Sequence, residues 1–317
     1  MPSTVALTLS KWVLDLATRL IKANVRLHNT ERLTDDMAVV FVVNHFTRLE
    51  TVLLPYVLHQ HTGKEIWALA AAELFVGRIG EFLESTGTVS TRDPDRDTRI
   101  VRSLLNGEHP WMIFPEGAMI KDKHVVNARG EFEVYSGNGR RPPHTGPAAL
   151  ALRAEFYRHK IGCLHARPGQ QGLAQALEKF ALDAAEPALA KRTVIVPVNV
   201  TYYPMRAHEN LLRRIAERYA DNLTPRALEE LSVEGTTLAE DTDIDVTLGD
   251  PIDVRTYLNA PEYAAMMACG LNDMDDLERD PKSLFQEAVQ QVARRYMTAI
   301  YRLTTLNLDH VLAAILR

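Results

Sequence analysis

Cysteine is nearly absent from this 317-residue chain: Cys163 and Cys269 are the two, 106 positions apart. So sparse a set excludes a disulfide scaffold, and both thiols are expected to be reduced, as in a cytoplasm. Neither is read as a nucleophile. Long apolar runs are also missing. None exceeds seven residues, the length of 37–43 and 66–72, whereas a membrane-spanning helix needs about 18. Lys11, Asp15, Arg19 and Lys22 interrupt any apolar core near the start, so no secretory signal is expected. Basic excess is lacking too, with a net charge of −5, and no nucleic-acid partner is expected. There is no G-x-S-x-G, no G-x-x-x-x-G-K-[ST], no G-x-G-x-x-G and no H-E-x-x-H. These absences remove the nucleophile-elbow hydrolases, the simple nucleotide binders and the zincins. His59 and His61 adjoin Gly63 at an expected helix end, which favours contact with that end over metal ligation. What is present is ample apolar material, 46% of residues, for a globular core.

Residues 5–28 read as an amphipathic helix. At 100° per residue, Lys11, Asp15, Arg19, Lys22 and Arg26 fall within an arc of about 80°, opposite Leu9, Val13, Leu16 and Leu20. Such a helix suits either an anionic membrane surface or the protein's own core. The run 37–43 is apolar and rich in β-branched residues, as in a buried strand. A helix is expected from about residue 49, with Pro55 in its first turn or at a kink. Strands at 66–71, 86–90 and 111–114 alternate with helices at 74–84 and 94–105. Residues 121–144 are polar and rich in Gly and Pro, and read as a long surface loop or lid. Helices at 145–159 and 170–184 and strands at 193–202 and 244–248 follow, with one or two helices over 281–316. Pro197 inside its strand marks an edge or a bulge. Residues 229–280 hold fifteen acidic and two basic residues, the pattern of a solvated face.

The fold class expected is α/β: a mixed, largely parallel sheet flanked by helices. In such sheets ligands bind beyond the carboxyl ends of the strands. Polar residues stand at four of those ends: Asn44-His45 with Arg48 and Glu50, Gly87 through Arg92, Pro115-Glu116-Gly117, and Pro197 through Asn199. His45 and Glu50 are five apart. On one continuous helix they diverge by about 140°. Across a strand-to-helix turn they can meet, so that Glu50 fixes the imidazole tautomer and stabilises the imidazolium, leaving the second nitrogen as a general base.

With these residues in view, the sequence resembles the glycerophospholipid acyltransferases (PlsC-like, lysophospholipid acyltransferases). Their four blocks have counterparts in order: Asn44-His45-x4-Glu50, Gly87 to Arg92, Phe114-Pro115-Glu116-Gly117, and Val196-Pro197. The resemblance covers about residues 38–253. It implies acyl transfer from a thioester, acyl-CoA or acyl-carrier protein, to the hydroxyl of 1-acylglycerol 3-phosphate. Glycerol 3-phosphate or another lysolipid is the alternative acceptor. It implies no metal, no cofactor and no covalent acyl-enzyme. His45 and Glu50 would form the catalytic dyad. Arg92 would bind the acceptor's phosphate, with Gly87, Glu116, Gly117 and Arg48 around it, and Pro197 would shape the acyl pocket.

Three departures stand out. Glu50 replaces the commoner aspartate. Ala118 and Met119 stand where the family often has a hydroxyl residue and an arginine. The stretches 121–144 and 160–190 are extra material. The expected organisation is an N-terminal helix over 1–30, an acyltransferase domain over 31–260 and C-terminal helices over 261–317 packed on the same domain. The protein is expected in the cytoplasm, peripheral to the inner face of the membrane. A thioesterase with the same dyad, or a non-catalytic lipid-binding module, are the competing readings.

Overall fold

The computed structural model describes residues 24–47, 50–72, 75, 77–120, 125–136, 139–167, 171–203, 243–270, 277 and 285–315. Its centre is an eight-stranded sheet. The strands are β1 (Asn24–His28), β2 (Met37–Val43), β3 (Trp67–Ala70), β4 (Thr88–Ser90), β5 (Trp111–Ile113), β8 (Arg192–Tyr203), β9 (Asp243–Leu248) and β10 (Ile252–Asp253). A separate hairpin pairs β6 (Val134–Ser136) with β7 (Gly139–Arg141). The helices are α1 (Glu50–Thr62), α2 (Gly77–Ser85), α3 (Arg96–Asn106), α4 (Gly146–His165), α5 (Gln171–Phe180), α6 (Ala185–Leu189), α7 (Arg255–Leu258), α8 (Ala264–Met267), α9 (Gln286–Arg302) and α10 (Leu308–Ile315).

The spatial order is β1-β9-β8-β2-β5-β3-β4, with β10 also on β8. The pairs β8–β2, β2–β5, β5–β3 and β3–β4 are parallel, while β9 and β10 run antiparallel to β8. The sheet is thus mixed and largely parallel, flanked by helices. Strand β2 is buried along its whole length, because helices cover both faces. Alternation divides its side chains. Ala38, Val40 and Val42 join α3, α4 and α9 in one core, while Val39, Phe41 and Val43 meet Leu53, Leu54 and Leu58 of α1 in the other. Each of the Val, Leu and Phe side chains contributes on the order of 1.5–3 kcal/mol when fully buried.

Four expectations are corrected. First, residues 24–28, read as the end of a helix, form strand β1, which pairs in parallel with β9. Arg26 and His28 meet Asp243 and Asp245 across that pair, so acidic residues from the 229–280 run attract this segment into the sheet. Asp245 is itself buried rather than solvated. The rest of the expected N-terminal helix, 1–23, lies outside the described residues.

Second, Pro197 sits in β8, an interior strand paired on both sides, not on an edge. On one side β8 exchanges β10, paired at Val194 and Ile195, for β9, paired from Val198. Pro197 occupies the gap between them, and its carbonyl accepts the N–H of Gly249 at 2.7 Å. The N–H that proline lacks would face this same gap, so no ladder bond is lost.

Third, the 121–144 stretch is not wholly loop: it carries β6–β7 and a bridge between Val126 and Phe132. Fourth, Cys163 of α4 and Cys269 are joined in a disulfide, with Cα atoms 5.4 Å apart. The 106-residue separation in sequence concealed a contact made by folding. Elsewhere the expected helix boundaries move by a few residues. Pro55 lies inside α1, and the ring of His59 bonds the Lys64 carbonyl just past that helix's end.

Candidate active site

The site is built where the parallel strands end. At the end of β2 the chain is held before it turns. Asn44 bridges to β8, its amide donating to the Val200 carbonyl at 3.0 Å and its oxygen accepting the Val200 N–H at 2.7 Å. The next residue is His45. Its Nδ1 lies 2.9 Å from Oε2 of Glu50, the first residue of α1. Glu50 is wholly buried. It accepts the N–H groups of Phe46 and Thr47 at 2.8 and 3.0 Å and the Tyr202 hydroxyl at 2.9 Å. The strand-to-helix turn therefore brings histidine and glutamate together as the five-residue spacing predicts. With Nδ1 engaged, Nε2 is the nitrogen left for a substrate. The imidazole packs on the ring of Phe114, with centroids 4.4 Å apart.

A second buried carboxylate grips the same turn. Glu116, at the end of β5, accepts the backbone N–H of His45 at 2.7 Å on Oε2, and Tyr301 of α9 donates to its Oε1. Burial pushes Glu116 up to about 7, although the Tyr301 and His45 hydrogen bonds and the His45 charge oppose that shift and the Glu50 charge adds to it. Gly117 follows in the left-handed region, at φ +58°, and a Cβ there would stand 2.6 Å from the His144 ring. Only glycine fits this turn without strain.

His45 opens on a cavity of about 720 Å³, within the range of small-ligand sites. Thr51, Thr91, Arg96, Asp97, Gly117 and His144 supply its polar wall, and Leu69, Ile113, Phe114, Met119, Ala149 and Leu150 much of its apolar wall. Arg96 is oriented by the Thr91 carbonyl at 2.6 Å and Asp97 at 2.8 Å. Arg141, from β7, donates to the Glu116 carbonyl at 2.6 Å. Burial holds the His144 imidazole below its ordinary range, and the Arg141 and Arg96 charges lower it further.

Of the residues singled out from sequence, the fold gathers His45, Glu50, Glu116 and Gly117. Arg92 lies on the exposed turn after β4, and its neighbours Thr91 and Arg96 stand on the cavity wall instead. Gly87 precedes β4 at the strand's far end, at φ +80°, where a Cβ would strike the Trp67 indole at 2.7 Å. Pro197 is buried within β8 and is not among the cavity-lining residues. Arg48 lies outside the described residues. Sequence reasoning missed Tyr202, Tyr301, Arg96, Arg141 and His144. Tyr202 ends the strand-like 193–202 run, so its position beside the dyad was recoverable. Tyr301 carries no local signal, since it reads as one more residue of an amphipathic helix.

Among the described residues, the group of His, Cys or carboxylate donors close enough to share a metal ion is His159, Cys163 and Cys269. It is remote in sequence from every residue of the dyad, and its two sulfurs are bonded to each other.

A comparison with curated proteins returns no match. Among solved structures, the chain is similar to the crystal structure of the 1-acyl-sn-glycerophosphate (LPA) acyltransferase PlsC from Thermotoga maritima. Identity is 11%, with 90% of this chain and 79% of that chain covered and a TM-score of 0.41. The family model described as Acyltransferase matches residues 24–201. That span holds the dyad, Glu116 and Gly117 and covers more than half of the chain, which therefore belongs to the acyltransferase family.

Proposed function

We propose that this protein moves a fatty acyl group from a thioester donor, acyl-CoA or acyl-carrier protein, to the free hydroxyl of 1-acylglycerol 3-phosphate. The observation that carries this reading is the His45–Glu50 pair, 2.9 Å apart, with its carboxylate buried and its imidazole on the wall of a mostly apolar cavity. The dyad lacks a serine or cysteine partner in the contacts described, so the nucleophile in this reading is the acceptor's own oxygen. His45 Nε2 takes the hydroxyl proton as that oxygen bonds the thioester carbon. Collapse of the tetrahedral intermediate breaks the C–S bond, and the same proton passes to the departing sulfur. An ester and a free thiol result. Glu50 balances the imidazolium throughout.

The acceptor's phosphate calls for a cationic wall. Family resemblance gives that role to Arg92. The cavity lining favours Arg96, with Arg141 and His144 beside Gly117, in place of the arginine the family often carries where Met119 stands. Arginine's planar donor fork suits such an anion. A dianion there would draw a proton onto His144, whose affinity for it is otherwise depressed.

Among the described residues no helix is long and apolar enough to cross a membrane. In our reading the protein works at the membrane's inner face, and residues 1–23 supply a basic amphipathic contact. Removal of those residues, keeping β1, then weakens co-sedimentation with anionic vesicles.

Thiol release from palmitoyl-CoA tests the reaction, with lysophosphatidate, glycerol 3-phosphate or no acceptor, beside His45→Ala. Acceptor-dependent release that vanishes in the variant supports acyl transfer. Equal release without acceptor identifies a thioesterase. Lipid binding without turnover from CoA or carrier-protein thioesters identifies a binding module.

A further inference from the structure

We infer that Tyr301 is a positioning residue for His45, acting through Glu116, so that helix α9 completes an active site whose other described parts lie within residues 24–202. The inference rests on the reading of His45 as the general base.

The geometry is specific. Glu116 uses Oε2 for the His45 backbone N–H at 2.7 Å and Oε1 for the Tyr301 hydroxyl. Glu116 is fully buried, so these donors stand in for water. Glu50 holds the other side of the turn through Phe46, Thr47 and the His45 side chain. The His45 carbonyl accepts the Ile120 N–H at 2.7 Å. His45 is thus fixed by its N–H, its carbonyl and its ring, and the N–H anchor reaches α9 through one carboxyl group.

Tyr301 is itself anchored. Its ring stacks on Phe132, with centroids 6.2 Å apart and planes 21° from parallel. It also packs on the cluster of Ile120, Val125 and Val134. The partners of Tyr301 therefore come from the inserted 121–144 stretch as well as from the catalytic strands. Five residues earlier on α9, the Tyr296 hydroxyl donates to the His144 carbonyl at 2.9 Å. Helix α9 thus touches both the catalytic turn and the cavity wall.

The chemistry follows from donor and acceptor roles. Both partners of the Glu116 side chain can donate, so the ionised carboxylate satisfies them fully. A protonated Glu116 must itself donate from one oxygen. Losing the Tyr301 hydroxyl removes one of the two bonds that favour the ionised form, while burial disfavours it. The charged groups around this carboxyl are His45 and Glu50 from the catalytic turn and α1, with Arg141 of β7 on its main-chain carbonyl. None of them replaces a donor on Oε1.

Tyr301→Phe keeps the ring and its stacking and deletes the hydroxyl alone. We expect kcat for acyl transfer to fall about tenfold, the acid limb of its pH profile to move upward by half a unit or more, and KM for donor and acceptor to stay within twofold. Glu116→Gln supplies the control. It cannot ionise, so adding Tyr301→Phe to it costs little further activity. Carbon-13 NMR titration of the Glu116 carboxyl, assigned with Glu116→Gln, reads the same coupling without turnover, and the hydroxyl deletion should raise its midpoint. Unchanged kcat and profile overturn the inference. So does a loss that appears only as a lower Tm with an unmoved acid limb and midpoint, because that is packing. If the wild type proves inactive on thioesters while the NMR midpoint still moves, the acyl-transfer reading fails and the Tyr301–Glu116 coupling stands.

Discussion

The hydroxyl of Tyr202 donates to Oε1 of Glu50 at 2.9 Å, joining residues 152 positions apart. This bond ties the end of β8 to the first residue of α1. It also completes a carboxylate whose described partners can all donate: the Phe46 and Thr47 N–H groups, the Tyr202 hydroxyl and the His45 ring. The glutamate in place of the commoner aspartate is longer by one methylene.

Glu50→Gln places an NH₂ group among those donors. Whichever way the amide turns, it faces an N–H or the His45 Nδ1 proton. We expect kcat to fall by about 10²–10⁴-fold, the range that general acid–base catalysis supplies, with KM changed little. Steady-state thiol release with the purified variant checks this, and near-normal turnover removes Glu50 from the mechanism.

Glu116 makes folding stability pH-dependent. Its carboxyl rises from an ordinary value of 4.5 to about 7 in the folded chain. Between those values the native state holds a proton that the unfolded state has lost, so stability falls as pH rises, by at most about 1.4 kcal/mol per pH unit. Glu116→Gln abolishes this contribution. The difference in unfolding free energy, variant minus wild type, should therefore climb between pH 4.5 and 7 and then level off, a total change on the order of 3 kcal/mol. Urea unfolding at pH 5, 6, 7 and 8 measures it, and a flat difference would refute the assignment.

Away from the cavity, Glu155 and Arg158 form a buried pair at 2.8 Å on α4. Burial alone would raise Glu155, but the Arg158 charge, the Thr193 N–H and Arg255 together hold it below its ordinary range. Arg158→Met leaves that carboxylate buried with fewer partners. A loss of about 3–5 kcal/mol is expected, read as a lower urea midpoint. The stabilising effect of Glu155 is present above the ordinary carboxylate range and fades as pH falls through its depressed value. The penalty of Arg158→Met should therefore shrink in acid. Glu155→Gln combined with Arg158→Met should cost less than Arg158→Met alone.

Much of the site was readable from residue order. An apolar run ending in Asn44-His45, with Glu50 five positions on, fixes both a strand end and a helix start. The Pro115-Glu116-Gly117 turn announces a tight backbone beside it. Local pattern fails where partners are distant. Arg92, to which the resemblance gives the phosphate role, stands on the exposed turn after β4, while Arg96 stands on the cavity wall. Residues 24–28 continue a helical charge stripe, yet ion pairs with Asp243 and Asp245 and the open edge of β9 make them a strand. Tertiary pairing overrides a weak helical preference there.

The cysteines are likewise paired by tertiary folding alone. Two thiols 106 positions apart gave no sign of pairing, because nothing in either segment encodes the other. Folding places Cys269, just past α8, against Cys163 of α4. The bond closes a loop of about that length, and closing so long a loop removes entropy from the unfolded chain. A typical stabilisation is about 2–4 kcal/mol. The non-reduced protein should therefore show no titratable thiol in denaturant and two after reduction. Reduction, or Cys163→Ser with Cys269→Ser, should lower Tm by several degrees. The dyad draws no contact from this bond, so thiol release below the new Tm should be unchanged. Two titratable thiols in the untreated protein would place the resting state in the reduced form.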